Sequence, residues 1–95
     1  MLTLKFIIVD EHDNVATAVQ HAAQGEVLEI PAAGGALTLN DEIPFGHKFA
    51  LSRIPAGGPV VKYGEVVGVA SRPIAPGDHV HVHNVDGVRG RGDRL

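Results

Sequence analysis

From Gly25 onward, glycine and proline interrupt this chain so often that no long regular element fits between them. The runs that remain are short and rich in Val and Ile. That pattern predicts many short strands joined by turns. Val27 to Ile30 and Ala36 to Leu39 read as strands around a Gly34-Gly35 turn, and Leu4 to Val9 as a buried first strand. Asn14 to Ala23 is the best helix candidate. Asp13 or Asn14 would cap it, Val15, Val19 and Ala22 would share one face, and Gly25 would stop it.

A weak repeat runs through the punctuation. Ile54-Pro55-Ala56-Gly57 is followed by Val60-Val61, and Ile74-Ala75-Pro76-Gly77 by Val80-His81-Val82. Ala23-Gln24-Gly25, followed by Val27-Leu28, is a looser copy. Recurrent turn chemistry and true duplication both account for it. Either way the expectation is a mostly β, compact domain with folded-over strands and one short helix.

At 95 residues the chain supports one small domain with a thin stability margin. A partner interface, or self-association into a homo-oligomer, would add to that margin. Aromatics are 4% of residues, so the core must come from Val, Ile, Leu and Ala. A formal net charge of −3 argues against nucleic acid as a partner. The absence of Cys excludes disulfides and thiolate metal sites. No apolar run approaches the roughly 18 residues of a membrane span. The start reads as a strand rather than a signal peptide, which makes the expected location cytoplasmic. Residues 1–85 form the expected domain. Residues 86–95, with Arg89, Arg91 and Arg94 among glycines, form an expected flexible tail.

Three segments carry groups suited to chemistry. His79-Val80-His81-Val82-His83-Asn84 alternates strictly, so a straight strand would put three imidazoles on one face. Successive members would stand roughly 7 Å apart, so two could share a metal ion and three could not without a bend. The alternatives are a polar strand face and a face turned towards a partner. Asp10-Glu11-His12-Asp13-Asn14 crowds acid/base and ligand groups at a loop, where Asp and Asn also serve ordinary capping. In Gly46-His47-Lys48, the glycine lets backbone N–H groups approach an anion, and Lys48 offers a point charge for a carboxylate. Lys62-Tyr63-Gly64 is similar in kind, and Tyr63 either donates to a ligand or satisfies a turn. There is no Walker A loop, GxGxxG loop or nucleophile elbow.

Taken together, Gly46 to Leu51, Ile54, Gly57, Val60, Lys62-Tyr63-Gly64, Gly68, Ala70, Ile74, Gly77 and His79 to Asn84 resemble, in order and spacing, the SAF domain of the altronate/galactarate dehydratase family. Asp13-Asn14-Val15-Ala16 is similar to that family's N-terminal motif, and Arg89 to Asp93 to the end of its free-standing small subunits, as in sulfolactate sulfo-lyase. The resemblance implies a small β-clip (SAF-like) fold. It also implies a role as the small subunit of a sugar-acid dehydratase, inactive alone, that completes or covers the site of a larger catalytic lyase subunit. A divalent metal, expected to be iron, would be held mainly by that subunit. A hydroxy acid would be the substrate.

On this resemblance His12, Asp13 and His47 are the expected catalytic residues. Asn14, Gly46, Lys48 and Tyr63 are the expected substrate contacts, and Asp10 and His12 the candidate metal ligands. His79, His81, His83, Arg89 and Arg91 would face the partner. His12, Asp13, His47 and Lys48 are expected to gather at one end of the domain. The family often has a His three positions before Asp-Asn-Val-Ala. Here that position is Asp10, so this chain would use Asp10 or His12, or act on a different substrate. A non-catalytic sugar-acid-binding or assembly module is the alternative.

Overall fold

The computed structural model describes residues 5–87. Nine short strands account for most of the regular structure: β1 (Phe6–Ile7), β2 (Val15–Ala18), β3 (Val27–Ile30), β4 (Gly35–Thr38), β5 (Lys48–Ala50), β6 (Pro59–Lys62), β7 (Glu65–Ala70), β8 (His79–Val80) and β9 (Val85–Gly87). All pairings are antiparallel. They form a central sheet in the order β1-β2-β5-β8, a β3-β4 hairpin and a β6-β7-β9 sheet. This is the mostly β, SAF-type architecture that the resemblance implies.

The expected helix over Asn14–Ala23 does not form. Its first half is β2, and the one helical segment among the described residues is a 3-10 turn at Pro31–Ala33. The residues expected to cap the helix are committed elsewhere. Asn14 accepts the N–H of Val61 and donates to the carbonyl of Pro59, while Asp13 accepts the N–H groups of Asp10 and Gly64. Both faces of β2 are then buried, which explains why its sequence lacks a two-residue contrast. Ala16 and Ala18 pack with Phe49, Ile43, Leu28 and Leu39 in one core. Val15 packs with Ala50, Val60, Ile54 and Val80 in a second. The central sheet thus separates two small cores.

The repeat is real in the backbone and has four copies, not three. Ala22 bridges Ile43, and Ile54 bridges Ile74. Three residues after each bridge a glycine takes positive φ: Gly25 (86°), Gly46 (85°), Gly57 (82°) and Gly77 (90°). Each glycine N–H crosses to the other member of its pair: Gly25 to Leu39, Gly46 to Ala18, Gly57 to Ala70 and Gly77 to Ala50. The first pair closes one core and the second closes the other. Ile43-Pro44-Phe45-Gly46 is the copy that the sequence reading missed.

The His79–Asn84 segment is not a straight strand. β8 ends at Val80, and a turn follows. Buried Asn84 fixes that turn by accepting the His81 N–H at 3.0 Å and donating to the His79 carbonyl at 2.9 Å. Among the described residues no helix is long and apolar enough to cross a membrane. Arg89 and Arg91 lie outside the described residues.

Candidate functional site

The expected site residues fall into two groups at opposite ends of β2. Val15 pairs with Ala50 and Thr17 with Lys48, and the Ala18 N–H donates to His47. His47 therefore sits at the Ala18 end, whereas Asp13 and Asn14 enter at the Val15 end, on the order of 13 Å away along the strand. The expected gathering of His12 and Asp13 with His47 and Lys48 at one end is not what the backbone places there.

At the Val15 end, the Asp10–Asn14 loop is sewn to the β6–β7 turn. Asp13, only 9% exposed, spends both carboxylate oxygens on backbone N–H groups. His12 is exposed, and its Nδ1 lies 2.9 Å from Asp10 Oδ1. Asp10 also accepts the His12 N–H at 2.8 Å. That backbone bond, followed by the imidazole bond, holds the Asp10 carboxyl below the usual aspartate range. Tyr63 takes φ 58° beside Gly64 at 72°, the pair of positive values that a tight two-residue hairpin turn requires. Its ring is exposed, with the Lys62 ammonium 4.8 Å above it. A Cβ at Gly64 would also stand 3.0 Å from Asp10 Oδ2, so that carboxylate would have to shift by a few tenths of an ångström.

At the other end four imidazoles crowd together. His47 Nδ1 lies 2.8 Å from His79 Nε2. The His47 ring stacks on His81 with centroids 4.0 Å apart, and on His79 at 5.1 Å. His79 also stands 5.1 Å from the exposed ring of His83. His47 arrives from the Pro44–His47 turn, His79 from β8, and His81 and His83 from the bend after it. Burial pushes the pKa values of His79 and His81 down, and the neighbouring imidazoles add to it. Asp41 is the one carboxylate that acts against the shift at His79, and it accepts the His79 N–H at 3.0 Å.

Lys48 projects from the opposite face of β5 to His47. With His81 it lines an apolar hollow of about 240 Å³ formed by Val60, Val67, Val82, Val85 and Gly87. Burial pushes the Lys48 ammonium down from the ordinary lysine value, and the Lys62 charge adds to the effect. Among the described residues no carboxylate pairs with Lys48. Phe45 and Val82, at 71% and 82% exposure, flank the imidazoles on their two turns. Gly46, an expected substrate contact, serves the repeat's turn. The sequence reading missed Asp41, Lys62 as a neighbour of Lys48, and Asn84 as the brace of the bend. An Asn closing a histidine alternation was the available signal for the last.

Comparison with known proteins gives a consistent picture. A family model described as the altronate/galactarate dehydratase SAF domain matches residues 4–87. The altronate dehydratase of Bacillus subtilis (strain 168) is 42% identical over 79 residues, which is 83% of this chain and 16% of that protein. The altronate dehydratase of Escherichia coli (strain K12) is 41% identical over 81 residues, 85% of this chain and 16% of that protein. The (2R)-sulfolactate sulfo-lyase subunit alpha of Chromohalobacter salexigens is 33% identical over 89 residues, 88% of this chain and 95% of that protein. The chain thus spans about one sixth of the dehydratases' length and nearly all of the sulfo-lyase subunit.

Proposed function

The chain belongs to the altronate/galactarate dehydratase SAF-domain family, and from that premise we propose that it is the SAF portion of a β-eliminating hydroxy-acid lyase, completing or covering a site held mainly by a larger catalytic portion. The observation that carries this reading is Lys48: a half-buried ammonium with no carboxylate partner among the described residues. A cation withdrawn from water without a counterion is an acceptor for an acid supplied from outside.

Elimination removes the proton α to the substrate carboxylate and expels the β-hydroxyl as water. It needs a base, a proton donor for the leaving oxygen, and a positive group that holds the carboxylate. In this reading Lys48 holds the carboxylate. His47, whose Nδ1 lies 2.8 Å from His79 Nε2, moves a proton. A divalent metal, with iron the expected ion, belongs to the larger portion and polarises the reacting oxygens. Asp13 positions the Asp10–Asn14 loop. The exposed side chains of Phe45 and Val82 dock against the larger portion, whose closure would exclude water. The reading carries with it the cytoplasmic location expected from the sequence.

The test is co-expression with a large catalytic portion of the altronate dehydratase type, followed by assay of the complex. Lys48→Met is expected to lower kcat/KM by about 10–100-fold, mostly through KM, with assembly intact. Unchanged kinetics in the assembled variant would sink the assignment and leave the chain as an assembly module.

A further inference from the structure

We propose that His47, His79 and His81 form a binding site for a late first-row divalent metal ion on this chain itself, separate from any metal held by a larger catalytic portion. One nitrogen from each ring lies within 4.8 Å of the other two. Ligands of a tetrahedral ion bonded at about 2.0–2.1 Å stand roughly 3.4 Å apart. The His47–His79 pair, at 2.8 Å, is already inside that spacing. The remaining gap is within reach of ring rotation. Lone pairs lie in the ring plane, and the His47 and His81 planes are only 17° from parallel. Binding therefore turns His81 out of its stack until its lone pair meets the other two.

The scaffold holds the backbone for this. The Asn84 bridge sets the bend that brings His81 back towards His79, with ring centroids 5.5 Å apart. Asp41 holds the His79 N–H, and the Ala18 N–H holds the His47 carbonyl. An all-imidazole donor set selects Zn²⁺, Co²⁺, Ni²⁺ or Cu²⁺ over Mg²⁺ or Ca²⁺, which prefer oxygen. Three protein ligands leave a fourth position open to water or to an oxygen ligand.

The experiment uses the full 95-residue chain after chelator treatment. Zn²⁺ is titrated by calorimetry, and Co²⁺ by its visible absorption. One ion per chain is expected, with the intense Co²⁺ bands of a tetrahedral site. Outer-shell ligand partners alone change affinity by about 10–100-fold, so removing a ligand in His47→Gln or His79→Gln should cost at least about 100-fold. His21 lies outside the cluster, so His21→Gln should bind as wild type. His47 separates a folded site from a linear histidine run, because it comes from a different turn of the chain. The urea-unfolded chain keeps the His79–His83 run and should bind at least about 100-fold more weakly. Wild-type affinity in His47→Gln, equal affinity in the unfolded chain, or no saturable binding would each overturn the proposal.

Discussion

Asp13 Oδ1 accepts the N–H of Gly64 at 2.8 Å and ties the Asp10–Asn14 loop to the β6–β7 turn. Its second oxygen takes the Asp10 N–H, so the carboxylate bridges two backbone donors. Asp13→Asn would turn an NH₂ group towards one of them. The expected cost is about 1–3 kcal/mol of folding free energy, read from urea unfolding. An unchanged midpoint with lost turnover in the complex would return Asp13 to the chemistry.

Gly57 and Gly77 occupy equivalent places in the repeat, with φ 82° and 90°. A Cβ at Gly57 meets nothing within 4 Å, whereas at Gly77 it would stand 2.2 Å from the Thr38 carbonyl oxygen. Gly57→Ala should cost about 1–2 kcal/mol from backbone conformation alone. Gly77→Ala should cost about 1–3 kcal/mol more, because backbone must move. Equal losses in thermal or urea unfolding would contradict the packing described here.

Asp10 should titrate below the ordinary aspartate value of about 3.9 in a carbon-detected NMR experiment. Because its folded pKa is depressed, its contribution to stability is complete above that value and is lost as pH falls through the folded one. The largest cause is the backbone N–H of His12, which survives His12→Gln. That variant should raise the Asp10 pKa only part of the way. Full return to the ordinary value would show that the imbalance lies with the imidazole instead.

Phe45 and Val82 are the exposed apolar side chains beside the imidazole cluster. Phe45→Ser and Val82→Ser should leave the free chain's stability within about 0.5 kcal/mol. In the docking reading each should weaken assembly with the larger portion by about tenfold or more, measured by analytical ultracentrifugation. Undiminished assembly in the double variant would move the docking face elsewhere.

Much of the strand pattern was legible because it is local. Val27–Ile30 and the Gly34-Gly35 turn follow from residue type alone. Asn14–Ala23 misled because Ala, Val and Gln fit a helix face as readily as a strand buried on both sides. The fourth repeat copy is masked because the ionisable pair His47-Lys48 and then Phe49 follow its glycine, where the other copies have a Val within three residues, although Ile43-Pro44 repeats the Ile54-Pro55 dipeptide. The histidine alternation was visible, but the bend after Val80 depends on Asn84 finding both the His81 N–H and the His79 carbonyl.

The sequence by itself determined where the chain turns and which groups are available. The glycines three residues after Ala22, Ile43, Ile54 and Ile74 accept positive φ without a steric cost, and short Val/Ile runs between turns extend. Only the tertiary structure decided which turn meets which. Ala22 bridges Ile43 and Ile54 bridges Ile74 because each pairing closes one core against one face of the central sheet. Those closures carry His47 to His79 and His81 and leave Asp13 at the far end of β2. Burial is a non-local quantity, so no spacing along the chain could have specified that choice.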